Sequence, residues 1–236
     1  MTTWICSSAA LFASGSFFTT FTSNESPISE GGKWTGQPAP SVFTNPVQKS
    51  GGNAFDGGTA TGTNDAVAFV NTSAFTPTAR VRITATFAVT GTIGSGEVEL
   101  HFNMVTTSTT IKTYEIDTGG PGVFNGVRWN GAQSDVVAMT HTGGTGAWVG
   151  SVPPVSGDKL IAERTISGGT VHFDVFQTPV ATGTKTLIWQ CEDNGALVGG
   201  GPIYTTGQPG IGFDGGSLGG GTNGNFAITD FLVENF

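Results

Sequence analysis

The 236 residues include nine Lys and Arg against seventeen Asp and Glu, a net charge of −8, and only 11% of them are charged. The few cations are scattered, with no cluster to neutralise phosphates, which tells against nucleic acid; the same acidity disfavours an anionic membrane surface. The 38 Gly oppose helix, while 17 Phe and 5 Trp can furnish a core, so the composition predicts a strand-rich folded protein rather than a disordered one.

The opening stretch MTTWICSSAALFASGSFF has no basic n-region and Ser residues interrupt its apolar run, so it reads as mature protein rather than as a secretion signal. Residues 1–16 fit the strand pattern least well and read as an edge strand or docking arm; 17–236 read as one domain, with no linker or internal repeat. In Arg80–Val89 the apolar Val81, Ile83, Ala85, Phe87 and Val89 alternate with Arg and Thr, the period-two signature of a half-buried strand. Glu97–Met104 repeats it, with Val98, Leu100, Phe102 and Met104 inward and Glu97, Glu99, His101 and Asn103 outward. Val171, Phe173 and Val175 form a third inward row, Leu187, Trp189 and Cys191 a fourth, and a last strand covers Asn225–Asn235. Between them Gly91–Gly96, Gly119–Gly122, Gly143–Gly146, Gly168–Gly169 and Asn194–Gly195 supply turn chemistry, and Gly215–Gly224 is the most Gly-rich loop. Evenly punctuated alternation predicts an all-β, antiparallel two-sheet sandwich of jelly-roll type with almost no helix. Cys6 and Cys191 are too few for a disulfide framework and read as two free thiols, a bridge between them being the alternative.

Phe21–Trp34 (FTSNESPISEGGKW) resembles the opening strand of the concanavalin A-like (lectin/glucanase, laminin G-like) superfamily in its bacterial and phage form. Thr206–Phe213 (TGQPGIGF) is similar to that family's closing turn and strand, and Asp158–Arg164 with Thr170–Phe176 to its usual hairpin. The family's opening Arg-Ala-Asp is replaced here by Ser23, Asn24 and Glu25. The resemblance implies the sandwich fold, a final strand at Phe226–Glu234 beside the first, and a tendency to bind sugars, without implying one activity.

Catalytic members of that fold carry Glu-x-Asp-x-x-Glu on one strand. Glu115-Ile116-Asp117 begins so, and residues two apart lie about 6.6 Å apart on one face, but Gly119 and Gly120 stand where the second Glu belongs. The pair therefore reads as a solvated strand end, and the chain as a non-enzyme. Glu97, Glu99 and His101 form a carboxylate–carboxylate–imidazole row able to do acid–base work or hold a cation, though such a row is more often the wet face of a strand. Gly210-x-Gly212-x-x-Gly215 and Gly215-x-Ser217-x-Gly219 spell nucleotide-binding and nucleophile-elbow motifs, but neither leads into a helix. His101, His141 and His172 lack ligand spacing, which argues against zinc. Oxygen donors beside Gly-rich loops, Asp65 and Asp214 first and Asp56, Asn64, Asn223 and Asp230 after them, make a structural calcium the more plausible ion; no other cofactor is implied.

For sugar binding the best stacking ring is Trp129, flanked in an apparent polar loop by Arg128 and Asn130 with Tyr114 upstream; Trp148 is second, and Trp34 and Trp189 read as core. Together these point to a non-catalytic, lectin-like recognition or attachment module. The setting expected is the surface of a phage-like particle (head decoration, fibre or tail), hence virion-surface or extracellular. Its partners would be host glycan, particle subunits, or copies of itself in a homo-oligomer, with no nucleic acid and no membrane. The alternatives are a secreted bacterial glycan-binding protein and a polysaccharide hydrolase or lyase.

Overall fold

In a computed structural model, the structure describes residues 15–36, 45–57, 65–91, 93, 96–119, 123–131, 135–197, 201–214 and 226–236. The strands make two stacked sheets. The first, in spatial order, holds β11 (Thr140–Gly143), β14 (Thr186–Asp193), β13 (Thr170–Thr178), β12 (Lys159–Ser167), β6 (Arg80–Val89), β16 (Phe226–Asn235), β4 (Asn53–Asp56) and β3 (Val47–Ser50), with β1 (Ser16–Thr20) also on β16. The second holds β10 (Val136–Ala138), β9 (Val123–Gly131), β8 (Ile111–Gly119), β7 (Glu97–Thr106), β15 (Gln208–Asp214), β5 (Ala66–Val70) and β2 (Trp34–Thr35). All these strand pairs are antiparallel. Among the described residues the one helical turn is a 3-10 turn at Val149–Ser151, so the expected jelly-roll sandwich is what the chain forms.

Alternation explains the core. Val81, Ile83, Ala85 and Phe87 of β6 face Val98, Leu100 and Phe102 of β7 across the sandwich, and every one of them is at most 1% exposed. Rings fill the gap between sheets: Phe173 lies 5.3 Å from Phe102 and 5.5 Å from Tyr114, and Trp34 lies 5.7 Å from Phe17 and 5.1 Å from Phe231. Such tilted and edge-on pairs add about 0.5–1.5 kcal/mol each beyond their buried area. Ser167 and Thr170 are register partners closing the β12–β13 hairpin, and the two residues between them, Gly168 and Gly169, have φ of 60° and 83°, the mirror-image turn that matches strand twist.

Three expectations about strands are corrected. The segment Phe21–Lys33 is a loop rather than an opening strand: Glu30, Gly31 and Gly32 take positive φ, and Glu25 accepts the amides of Ser29 and Glu30 at 2.6 and 2.7 Å. Lys49, only 3% exposed, clamps this loop through Glu25 (3.4 Å) and Glu30 (3.0 Å). In β7 the ladder slips between Phe102 and Val105, with Asn103 at φ 55°. One extra residue reverses the alternation, so Asn103 turns to the interior, where Arg164 donates to its Oδ1, and Met104 turns to the opposite face beside Trp129. A second slip, opposite Val175–Phe176, leaves Leu187 37% exposed and buries Ile188 instead.

The final strand pairs not with Phe21–Trp34, the expected opening strand, but with β1 just before it, Phe17 opposite Val233. The expected 1–16 arm lies outside the described residues except for Gly15 and Ser16, as do Cys6 and the loop Gly215–Gly224. Cys191 is a free, buried thiol. No helix among the described residues is long and apolar enough to cross a membrane.

Candidate functional site

The face of the second sheet that points away from the core is not a wet surface. On β7, Glu99 is 1% and His101 0% exposed; on β8, Glu115 and Asp117 are each 6% exposed. The ladder brings them together: His101 pairs with Glu115 and Glu99 with Asp117 across β7–β8, while Gly210 and Gly212 of β15 stand opposite His101 and Glu99 on the other side. His101 Nε2 lies 2.9 Å from Glu99 Oε2, and Trp129 Nε1 donates to Glu115 Oε2. A Cβ on Gly212 would overlap Glu99 Oε2 and come within 2.6 Å of His101 Nε2, so only glycine leaves room for that pair.

Burial dominates the electrostatics. It pushes the Glu99 and Glu115 carboxyls well above the usual carboxylate range, reinforced at both by Asp65, Glu97 and Asp117 and at Glu99 by Glu115, with the Trp129 hydrogen bond opposing the rise at Glu115. Glu97 is raised to about 8 by burial and by Asp117, Asp214 and Asp65; Asp117 is raised to about 7 by burial, against its hydrogen bond from Asn125. Burial lowers His101 to about 3. Burial disfavours the charged form of both Glu99 and His101, and so works against an ion pair between them.

Sequence spacing did not show this cluster. The wet row Glu97–Glu99–His101 and the solvated Glu115–Asp117 end are both corrected: the residues share a face as expected, but the face is covered. Spacing along one strand is blind to ligands that converge across a ladder, and the pairing adds Glu115 of β8 to the Glu99–His101 row; one ligand atom each from Glu99, His101 and Glu115 lie within 4.8 Å of one another. Asp65, immediately before β5, and Asp214, at the end of β15, raise the Glu97 and Asp117 carboxyls of the same face. Asp56 and Asp230 are in strands, while Asn64 and Asn223 lie outside the described residues.

The expected sugar platform is also rearranged. Arg128, Trp129 and Asn130 belong to strand β9, not a loop, and a strand sends neighbours to opposite faces. Trp129 therefore sits 4% exposed over Val67, Met104 and Ile111, apart from the other two. Trp148 is 3% exposed and packs on Phe87 and Phe124, ring centres 5.7 and 4.6 Å away, as a core plug. Trp34 and Trp189 are core, as expected.

Arg128, Asn130 and Tyr114 do converge, on a residue not singled out from sequence. Tyr204 OH donates toward Asn130 Oδ1 (2.9 Å) and the Trp129 carbonyl (3.1 Å), its amide donates to Tyr114 OH at 2.9 Å, and its ring lies 5.4 Å from the Arg128 guanidinium. Above Arg128 opens a cleft of about 290 Å³ lined by Lys112, Asn130, Asp135, Gly201, Pro202, Ile203 and Tyr204. Arg128 and Tyr114 are fully buried beneath it and serve as its floor supports rather than as contacts.

No protein-family model matches the chain, and no curated protein matches it. Solved structures do. The carbohydrate-binding module CBM66 from Bacillus subtilis is similar at 11% identity and TM-score 0.42, over 94% of each chain. The β-porphyranase of the human gut bacterium Bacteroides plebeius is similar at 7% and 0.42, over 94% of this chain and 93% of its own. A CBM2 module of the evolved Dit of Lactobacillus casei BL23 phage J-1 is similar at 12% and 0.37, over 94% and 97%. At these TM-scores the likeness carries no argument about activity. The only other aromatic signal in the sequence near the cleft was Tyr204 itself, one of two tyrosines, in a segment with no periodicity to mark it.

Proposed function

We propose that the protein is a non-catalytic carbohydrate-recognition module that holds a sugar in the Tyr204 cleft. The observation that carries this is the lining. A half-buried phenol ring, an amide (Asn130), a carboxylate (Asp135) and an ammonium (Lys112) converge on one open cleft of about 290 Å³, the low end of small-ligand sites. A sugar offers C–H groups to a ring and hydroxyls that both donate and accept, which this set of partners matches. Lys112 and Asn130 sit on paired strands as register partners, so the cleft is formed before ligand arrives. The acid-rich face is poorly suited to cleaving a polysaccharide, since Glu99, Glu115 and Asp117 are at most 6% exposed and out of a polymer's reach.

The setting, attachment at a particle or cell surface with copies or particle subunits as neighbours, belongs to the same proposal. A glycan array followed by calorimetry tests the core of the proposal. Saturable binding is expected, reduced at least tenfold by Tyr204→Ala and by Asp135→Ala and unchanged by Trp129→Phe. A folded protein with no hit, or new reducing ends released from candidate polysaccharides, would sink it.

A further inference from the structure

We propose that Glu99, His101 and Glu115 form a buried site for one divalent first-row transition-metal ion. Their three ligand atoms already lie within 4.8 Å of one another, and His101 Nε2 to Glu99 Oε2 is 2.9 Å, the separation of adjacent ligands on an ion about 2.0–2.2 Å from each. The imidazole is preset for coordination. Thr113 Oγ1 has its proton directed to the carbonyls of Phe102 and Tyr114, both at 3.1 Å, so toward His101 Nδ1 at 3.3 Å it accepts. Nδ1 therefore carries the hydrogen, and the Nε2 lone pair points at the Glu99 carboxyl. A ligand histidine oriented by its other nitrogen is the usual outer arrangement of a metal centre, and Trp129 Nε1 fixes the Glu115 carboxyl in the same way.

An observation independent of the ligand geometry points to a cation there. Asp117, the ladder partner of Glu99, is 6% exposed and its Oδ1 has no hydrogen-bond partner, a buried acceptor that a nearby cation would satisfy. Gly212, lacking a Cβ, lets Glu99 Oε2 and His101 Nε2 come together against its backbone. The ligand set selects the class of ion. An imidazole nitrogen with two carboxylates suits Mn²⁺, Fe²⁺, Co²⁺ or Zn²⁺, whereas Ca²⁺ takes oxygen ligands alone. Toward the strand end, Glu97 and Asp214 stand opposite each other and are only partly covered.

Calorimetric titration of the chelator-stripped full chain with MnCl₂, CoCl₂, ZnCl₂ and CaCl₂, with pulsed electron paramagnetic resonance on the Mn²⁺ form, tests the site. One transition-metal ion per chain is expected, with nitrogen coupling from a single imidazole and with calcium at least a hundredfold weaker. Glu99→Gln, Glu115→Gln and His101→Gln should each weaken binding tenfold or more, with circular dichroism reporting that the fold persists; if one fails to fold, the nitrogen signal and the other two still decide. A folded wild type that binds none of the ions, binding that survives all three substitutions, or calcium competing on equal terms would each overturn the proposal. None of these outcomes depends on sugar binding.

Discussion

Arg128 shows how much one side chain can hold together. Its Nη1 lies 2.7 Å from Asp193 Oδ2 and 3.2 Å from the Gly201 carbonyl, and Nε reaches Asn130 Oδ1 at 3.0 Å. Both members of the ion pair are fully buried. Asp193 is also held by Tyr114 OH and the Gly195 amide, each at 2.8 Å, so the carboxylate would stay buried if its cation were removed. Arg128→Ala should therefore cost about 3–5 kcal/mol, the usual result of stranding one partner of a buried pair. A fall in the urea midpoint with unchanged slope would register it; a change below 1 kcal/mol (about the worth of an exposed pair) would mean that the pair is not buried in solution. Its contribution to sugar affinity should follow indirectly, through Asn130 and Tyr204.

At the scale of elements, β9 and β14 meet tightly across the sandwich at Gly126. A Cβ on Gly126 would collide with the Trp189 ring and come 2.7 Å from Cys191 Sγ and 2.8 Å from Met139 Cε. Gly126→Ala should cost about 1–3 kcal/mol by overpacking, because the Trp189 ring and Cys191 that it would meet are themselves buried in the core. Thermal unfolding of the variant checks this, and an unchanged midpoint would show that the sheets separate freely there. The β7 bulge marks the limit of pattern reading. Alternation correctly assigned Val98, Leu100 and Phe102 to the core, yet one positive-φ residue, Asn103, exchanged the faces beyond it. Nothing in Phe102-Asn103-Met104 distinguishes a bulge from a straight strand, because the extra residue is set by the partner ladder and by Arg164 reaching across from the other sheet.

For the whole molecule, the covered acidic face ties stability to pH. Glu97 and Asp117 have folded values of about 8 and 7 against ordinary values of 4.5 and 3.8, and Glu99 and Glu115 are raised in the same direction. Between those limits the folded chain binds more protons than the unfolded one, so their contribution is fully present below about pH 4 and is lost as pH rises toward 8. His101 works oppositely, from about 3 folded to 6.5 unfolded, and offsets one carboxyl below pH 6.5. In chelator the melting temperature should thus fall from pH 5.5 to pH 8, a trend that scanning calorimetry reads directly. A rise over that range would mean that water or counter-charge reaches Asp65, Glu97, Glu99, Glu115, Asp117 and Asp214 in the folded state.

Period-two alternation and glycine turns are properties of a few consecutive residues, and from them the sequence alone determined that the chain is an antiparallel sandwich with strands over β6, β13 and β16, the β12–β13 hairpin being what the family resemblance implied. Those same local rules place Glu97, Glu99 and His101 on one face and Glu115 and Asp117 on one face. Only the tertiary structure decided that the two faces are one, that it is covered, and that Tyr204 meets Asn130 rather than Trp129. Strand adjacency and burial depend on residues a hundred positions apart: β15 lies between β5 and β7, bringing Gly212 beside Glu99, and no window along the chain contains that contact.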